Sequence, residues 1–291
     1  MTDRVASSTA VLVCQGRAAA DGRYAASRFS DSVARDLLDP NEQTIVDAVR
    51  AQQIPRQGGD RVAYEMVRRV AVTMVPRTIA IDAAIRDHGA TQVVILGAGL
   101  DARAWRMPEL AAATVFEVDH PASQRDKQRR IGGMPPTAGK LVFVPVDLAK
   151  EALAPNLERA GFDRRLSTTW VWEGVVPYLT AGQVRVTVAQ LAELSAPGSW
   201  LVVNYQAKSL PVTVMRAAMR LVLRVFRQSD PMAGEPWRSL WRPDAMRTLL
   251  NHNGFDTTRD DDLLTLAAGL GLPSDNDGSL RNGRVTLTVR R

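Results

Sequence analysis

Glycine and acidic residues follow four short apolar runs of the chain, and these residue types can hold a nucleoside. Gly97 and Gly99 come directly after the first run, while Asp119, Asp147 and Glu173 end the next three. Glycine lets the backbone approach a ligand closely. An acidic side chain about 20 residues further on, here Asp119, can accept both ribose hydroxyls, and Asp147 can accept from an adenine amino group. The spacing therefore predicts one ligand site built from a glycine turn and several carboxylates.

The glycine pattern favours a nucleoside over a dinucleotide. The first run is followed by GAG at residues 97–99 and then by LDA at residues 100–102. A dinucleotide fingerprint has a third glycine in this region, which lets helix and strand pack closely. Leu148, beside Asp147, is suited to pack on an adenine ring. An NAD-dependent oxidoreductase is therefore a less favoured interpretation.

The apolar runs predict the strands that position these residues. Five such runs lie at residues 92–96, 114–118, 141–146, 168–172 and 199–205. Their β-branched composition is typical of buried parallel strands, and helical spacing lies between some of them. Residues 284–290 alternate apolar and polar and predict an antiparallel edge strand. The whole indicates an α/β fold with a doubly wound sheet, in which ligands bind outside the carboxyl ends of the strands.

The first part of the chain is predicted to be helical. A capped helix start lies at residues 29–34, and Asp39-Pro40 is expected to end that helix. Two further helices are predicted at residues 62–75 and 78–88, with Pro76 breaking the chain between them.

Five segments resemble the leucine carboxyl methyltransferase family, which includes bacterial and mycobacterial-type O-methyltransferases and polyketide carboxyl methylases that use S-adenosylmethionine (SAM). The segments are RTIAID at 77–82, LGAGLDARAWR at 96–106, FEVDHP at 116–121, VDL at 146–148 and WEGVVPYL at 172–179. The likeness covers roughly residues 9–205. It implies a class I methyltransferase fold, Rossmann-like and mostly parallel, with SAM as the cofactor.

The resemblance also implies roles for individual residues. Arg77 would hold the SAM carboxylate, and Glu173 would lie near the methionine amino group and the reacting centre. The remaining cofactor-binding residues would be Gly97 and Gly99 along the methionine portion, Asp101 from the same motif, Asp119 at the ribose, and Asp147 with Leu148 at the adenine.

The predicted organisation is an N-terminal helical cap at residues 1–88 and a SAM-binding core at 89–291, with a helical lid insertion at about 208–243. The likeness fades beyond Lys208. Four arginines at helical spacing form a stripe in the predicted lid, namely Arg216, Arg220, Arg224 and Arg227. The stripe is either the solvated face of a lid helix or a surface that recruits an anionic or lipid-like acceptor. Contact with a membrane surface is a less favoured third interpretation.

Three residues are candidates for catalysis: Glu173, Tyr178 and His120. Methyl transfer to a carboxylate needs no general base, whereas a hydroxyl acceptor benefits from one near the methyl group. Imidazole titrates near neutrality, but the Asp-His-Pro turn favours a structural role for His120. Tyr178 either contacts the acceptor or packs its ring under the sheet. Tyr205 is a further base candidate, and the sequence leaves the choice open.

The charge balance does not by itself indicate a nucleic-acid enzyme. The 37 basic and 31 acidic residues give a net charge of +6, and no Lys/Arg block forms a tail. Enzymes that methylate amino groups of nucleic acids usually have an Asn/Asp-Pro-Pro-aromatic motif at the fourth strand, where this chain has EGVV at residues 173–176. A nucleic-acid methyltransferase and a non-catalytic SAM- or nucleotide-binding regulator remain the alternatives.

The chain has a single cysteine, Cys14, and no apolar run long enough to span a membrane. Three histidines and one cysteine give no plausible metal site. These features predict a cytoplasmic enzyme without metal or nucleic-acid partner, and leave the oligomeric state open. We interpret it as a SAM-dependent O-methyltransferase acting on a hydroxyl or carboxylate of a small molecule such as a polyketide, lipid-like or carbohydrate metabolite.

Overall fold

The computed structural model describes residues 7–56, 58–148, 150–208, 237–272 and 278–291. Within these ranges the chain forms one seven-stranded sheet in the order β3-β2-β1-β4-β5-β7-β6. The strands are β1 (Gln92–Leu96), β2 (Thr114–Asp119), β3 (Lys140–Pro145), β4 (Thr168–Trp172), β5 (Trp200–Gln206), β6 (Phe255–Asp262) and β7 (Gly283–Arg290). Strands β1 to β5 pair in parallel, and β7 is antiparallel to both β5 and β6.

Helices cover both faces of the sheet. They are α1 (Ser8–Ala20), α2 (Pro40–Arg50), α3 (Gly58–His88), α4 (Arg103–Arg106), α5 (Pro121–Ile131), α6 (Leu153–Arg159), α7 (Ala181–Leu194), α8 (Pro243–His252), α9 (Leu263–Ala268) and α10 (Gly278–Asn282). All residues of the central strands β1 and β4 are buried, because apolar side chains pack on each face. Both strands are therefore rich in apolar and β-branched residues. No helix among these residues is long and apolar enough to cross a membrane.

The doubly wound α/β prediction is confirmed, but the position predicted for the last strand is wrong. Strand β7 lies between β5 and β6, and β6 forms the edge. The sequence of β6, FDTTRDDD, is almost entirely polar, and Phe255 is its one buried residue. An edge strand next to solvent needs no apolar alternation, so the sequence carried no signal for it.

Three predicted helix boundaries in the N-terminal region are also wrong. No helix starts at residues 29–34, where the chain runs into turns instead. Asp39-Pro40 begins α2: Pro40 is its first residue, and the backbone N–H of Asp39 donates to Glu42 Oε2 at 2.8 Å. Proline is accepted in the first turn, where its missing N–H would have no helical partner. Helix α3 runs unbroken through Pro76. Buried packing along α3 on both sides of the proline outweighs the loss of one helical hydrogen bond.

The long helix α3 connects the two ends of the sheet. At its last residue, His88 Nδ1 lies 2.7 Å from Thr169 Oγ1 near the start of β4. Arg77, three turns earlier, reaches Glu173 just beyond the end of the same strand. Eleven helical residues rise about 16 Å, which matches the length of a five-residue strand. The helical rise between His88 and Arg77 therefore places Arg77 at the carboxyl edge of the sheet. The division into cap and core at residue 88 stays a prediction.

Candidate functional site

A cleft of about 260 Å³ opens at the carboxyl ends of β1, β2 and β4. Strand order reverses between β1 and β4, and this is where ligands bind in open α/β sheets. The structure brings ten of the predicted site residues to this cleft, namely Arg77, Gly97, Gly99, Asp101, Asp119, His120, Asp147, Leu148, Glu173 and Tyr178. Its further lining includes Thr9, Ala10 and Arg17 from the N-terminal region.

The turn after β1 needs glycine for both conformation and space. Gly97 has φ +63°, and a Cβ there would lie 2.3 Å from Val175 Cγ2. Gly99 has φ +48°, and a Cβ there would lie 3.1 Å from the Cβ of Ala10. The bare backbone thus forms the floor of the cleft.

The carboxylate of Asp119 is held in place by two backbone amides. The N–H of Gly99 donates to Oδ2 at 2.5 Å, and the N–H of His120 donates to Oδ1 at 2.6 Å. Burial raises the pKa of Asp119, and the two amide donors oppose that rise. Each carboxylate oxygen retains further acceptor capacity. The two amides therefore fix the orientation in which Asp119 presents its remaining acceptor sites.

Asp147 lies just beyond the carboxyl end of β3. Its carboxylate is 3.0 Å from Nζ of Lys150, an exposed side chain, and its backbone N–H donates to Glu151 Oε1 at 2.9 Å. Leu148 follows it and is half-buried against the core on that face. The pair offers one acceptor beside an apolar surface.

Glu173 is held by two arginines. Arg77 Nε donates to Oε1 at 2.6 Å, and Arg103 Nη1 donates to Oε2 at 2.8 Å. Burial by itself raises the pKa of Glu173, but Arg77, Arg103 and Arg17 together hold it well below its usual range. Glu173 is therefore ionised at every physiological pH, and it separates Arg77 from Arg103.

The ion pairs continue behind the cleft into the N-terminal region. Arg103 also contacts Asp101 and Asp82. Asp82 pairs in turn with Arg106, and Arg106 lies near Asp31, which pairs with Arg17 at 2.8 Å. Within the described residues four arginines and four carboxylates form this buried network. Sequence reasoning assigned no role to Arg103 or Arg17, although Arg103 stands inside the segment that resembles the family.

The two remaining catalytic candidates make structural contacts in addition to lining the cleft. His120 Nδ1 accepts the N–H of Ala122 at 3.2 Å and thereby caps α5. This contact requires an unprotonated Nδ1, so the neutral ring carries its proton on Nε2. The hydroxyl of Tyr178 donates to Thr9 Oγ1 at 3.4 Å. Catalytic roles for both stay predictions.

Two other features of the sequence lie elsewhere. The Tyr205 hydroxyl donates to Asp260 on β6, outside the described lining of the cleft. The arginine stripe from Arg216 to Arg227 lies outside the described residues, so the lid stays a prediction. No group of histidine, cysteine and carboxylate side chains in the described ranges is arranged to hold a metal ion.

Comparison with known proteins places the chain in a family. The model for "Leucine carboxyl methyltransferase" matches residues 10–192. A protein of Mycobacterium sp. (strain MCS), described as an S-adenosyl-L-methionine-dependent methyltransferase, is 37% identical over 173 residues, which are 57% of this chain and 69% of the relative.

Two solved structures share the fold. A DUF574 family protein from Streptomyces avermitilis superposes with a TM-score of 0.59 at 13% identity, covering 98% of both chains. A methyltransferase-type protein from Thermobifida fusca superposes with a TM-score of 0.55 at 16% identity, covering 96% of this chain and 94% of the other. The family model matches more than half of the chain, including most of the cleft lining, and this chain therefore belongs to the leucine carboxyl methyltransferase family.

Proposed function

We propose that this SAM-dependent methyltransferase transfers the methyl group to an oxygen of a small-molecule acceptor, and that the acceptor is a carboxylate. One observation supports the cofactor site above all others. Ten residues that the sequence singled out as SAM-binding or catalytic line one cleft at the switch point of the sheet.

The residues of the cleft fit SAM in shape and charge. The glycine turn leaves room for the methionine portion, and Asp119 presents two acceptor oxygens for ribose hydroxyls. The described lining has two cations, Arg17 and Arg77, against four carboxylates. Such an excess of negative charge favours a ligand that carries a sulfonium.

The two ends of the methionine zwitterion have matching partners. Arg77 uses one N–H of its guanidinium for Glu173, and four of its five N–H donors remain for a ligand carboxylate. Glu173, ionised and lining the cleft, suits the ammonium group. We therefore assign Arg77 to the carboxylate end and Glu173 to the ammonium end.

SAM supplies a methyl group activated by a positively charged sulfur. The chain has to orient the acceptor oxygen in line with the carbon–sulfur bond and to exclude water, and orientation alone can lower a barrier by several kcal/mol. The glycine turn and Asp119 fix one side of the cleft. The contact between Tyr178 and Thr9 joins the turn after β4 to α1, which encloses the cleft on the other side.

The described residues favour an acceptor that needs no general base. Glu173 is a poor proton acceptor, because arginines hold its pKa far below neutrality. His120 uses Nδ1 as a helix cap and carries a proton on Nε2 when neutral. Since neither Glu173 nor His120 is arranged as a general base, and Tyr205 lies outside the described lining of the cleft, a carboxylate acceptor, which needs no base, fits better than a hydroxyl. A cytoplasmic location is part of the same proposal.

Incubation with methyl-labelled SAM tests the proposal. Panels of carboxylated and hydroxylated metabolites would be compared with RNA and DNA, with Asp119→Ala as the matched control that lacks the cofactor contact. We expect label in a carboxylated product that mild base releases, since esters hydrolyse where ethers do not. Base-stable label would indicate a hydroxyl acceptor. Label in RNA or DNA would support the alternative of a nucleic-acid methyltransferase. SAM binding without any transfer would support a regulator.

A further inference from the structure

Arg103 sits at the centre of the buried charge network but does not belong to the described lining of the cleft. Its side chain is 2% exposed. Nε donates to Asp82 at 2.7 Å, and Nη1 donates to Glu173 at 2.8 Å and also to Asp101. Three carboxylates therefore surround one guanidinium that no ligand in the cleft can reach without displacing them.

Arg103 and Arg77 hold the same carboxylate in different ways. Arg77 binds Oε1 of Glu173 and lines the cleft, whereas Arg103 binds Oε2 from behind. A ligand carboxylate can engage Arg77 and draw its guanidinium away from Glu173. The contact with Arg103 is then the one that keeps Glu173 in position.

We propose that Arg103 is a positioning residue for the cofactor: it keeps Glu173 ionised and oriented toward the ammonium end of the methionine while Arg77 engages the carboxylate end. This inference rests on the proposed assignment of Arg77 and Glu173. Arginine suits the task because its planar guanidinium presents five donors in a fixed geometry and does not lose its proton. A buried carboxylate without a fixed cation takes up a proton instead.

The charged groups that face Glu173 come from three elements. They are Arg77 on α3, Arg103 on α4 and Arg17 on α1, while Asp101 and Asp82 share the guanidinium of Arg103. Burial raises the pKa of Glu173, and the three arginines lower it. Removing Arg103 leaves burial opposed by fewer charges, so Glu173 takes up a proton at higher pH than in the wild type. Removal of Arg103 should therefore weaken SAM binding, and this loss of affinity should grow as the pH falls.

Calorimetric SAM binding between pH 8.5 and pH 5.5 tests this for Arg103→Gln. We expect a loss of at least about tenfold at high pH, the effect of one charge-assisted contact, and a variant-to-wild-type Kd ratio that rises toward low pH. Arg130→Gln is the matched control. Arg130 is 3% exposed and also pairs with three carboxylates, Asp39, Glu42 and Asp126, away from the cleft. The SAM affinity of Arg130→Gln is expected to stay within about twofold of the wild-type value at every pH, since distant sites act independently.

A double-mutant cycle separates positioning from general stabilisation. If Arg103 acts through Glu173, Arg103→Gln adds less than about twofold to the loss already caused by Glu173→Gln. Independent, multiplying losses would overturn the inference, and so would a flat Kd ratio over the pH range. If Arg103→Gln does not fold, the SAM affinity of Arg103→Lys over the same pH range tests the inference instead. This variant keeps the charge but cannot bridge three carboxylates, so a severalfold loss with a flat pH dependence is expected, and wild-type affinity contradicts the inference.

The outcomes also separate this inference from the proposed function. Wild-type SAM affinity in Glu173→Gln would remove the assigned ammonium contact, and the role of Arg103 with it. Weakened binding in Glu173→Gln but not in Arg103→Gln would overturn only the positioning role. Failure to methylate any oxygen acceptor, with these binding effects intact, would overturn only the proposed acceptor class.

Discussion

The two ends of the central strands are built from different chemistry. At the carboxyl ends, ionised side chains pair around an open cleft, with Glu173 between two arginines. At the amino ends, hydrogen bonds between neutral groups close the sheet. The ring of His88 stacks on Trp200 with centroids 4.9 Å apart, and its two nitrogens lie 2.7 Å and 3.0 Å from the hydroxyls of Thr169 and Ser167.

This difference between the two ends shows that the fold places some polar groups for ligand binding and others for stability. Neutral hydrogen bonds at the amino ends satisfy one another; Gln92, for example, donates to Thr168 Oγ1 at 2.8 Å and accepts the N–H of Asp163 at 3.0 Å. Charged groups at the carboxyl ends retain capacity for a ligand. Changes at the amino ends should alter stability alone, and changes at the carboxyl ends should alter cofactor binding.

The largest expected effect comes from Asp119→Ala at the carboxyl ends. We expect SAM affinity to fall at least about a hundredfold, because two hydrogen bonds to a charged group are lost at about 1.5–3 kcal/mol each. The control is Asp163→Ala at the amino ends, where the carboxylate pairs with the exposed Arg165. Calorimetry measures both. Equal losses in the two variants would show that the two ends do not differ as proposed.

Arg77→Gln should have the next largest effect. One charge-assisted contact is removed, so SAM affinity should fall about tenfold to a hundredfold. Adenosine lacks the methionine portion, and its affinity should change by less than about twofold, since the contact is remote from it. Competition of unlabelled SAM and of adenosine against labelled SAM measures the two losses of affinity. Parallel losses for adenosine and SAM would place the contact of Arg77 elsewhere.

Two glycines with positive φ, one at each end of the sheet, allow a direct comparison of the two ends. Gly97→Ala combines strain at φ +63° with a Cβ 2.3 Å from Val175 Cγ2. Gly198, near the start of β5, has φ +80°, and a Cβ there would meet Ser167 Oγ at 4.0 Å, an ordinary contact distance. Gly198→Ala should lower the free energy of unfolding by about 1 kcal/mol. Gly97→Ala should lower it by about 1–3 kcal/mol more and weaken SAM binding. Chemical denaturation checks the difference, and equal destabilisation would contradict it.

The smallest effect is a pH dependence at the amino ends. Burial lowers the pKa of His88, so folding favours the neutral ring. Its contribution to stability is complete above the unfolded pKa of about 6.5 and is lost as the pH falls through the lower folded-state pKa. Thermal melting of His88→Gln from pH 7.5 to pH 5 should show a weaker decline in Tm than the wild type. His252→Gln, at an exposed position, should retain the wild-type decline, and an unchanged decline in His88→Gln would exclude His88 as its source.

The sequence by itself determined strands β1 to β5 and β7 and the residues at the ends of the parallel strands. Buried parallel strands leave a local signal of consecutive β-branched and apolar residues, which was clear for β1 and β4. Parallel strands also bring their carboxyl ends to one edge, so Gly97, Asp119 and Glu173 were predicted to meet. This followed from topology, without any knowledge of side-chain contacts.

Only the tertiary structure decided which charges pair and how the less regular elements run. Arg77 and Glu173 are 96 residues apart, and no local pattern specifies that Arg103 would take the second oxygen of Glu173. The continuity of α3 through Pro76 and the polar edge strand β6 likewise contradict local propensity. Each depends on free energy gained from neighbours distant in sequence, through packing in α3 and through solvated strand pairing in β6. Charges and apolar faces interact through space, and a local pattern cannot record partners that only folding brings together.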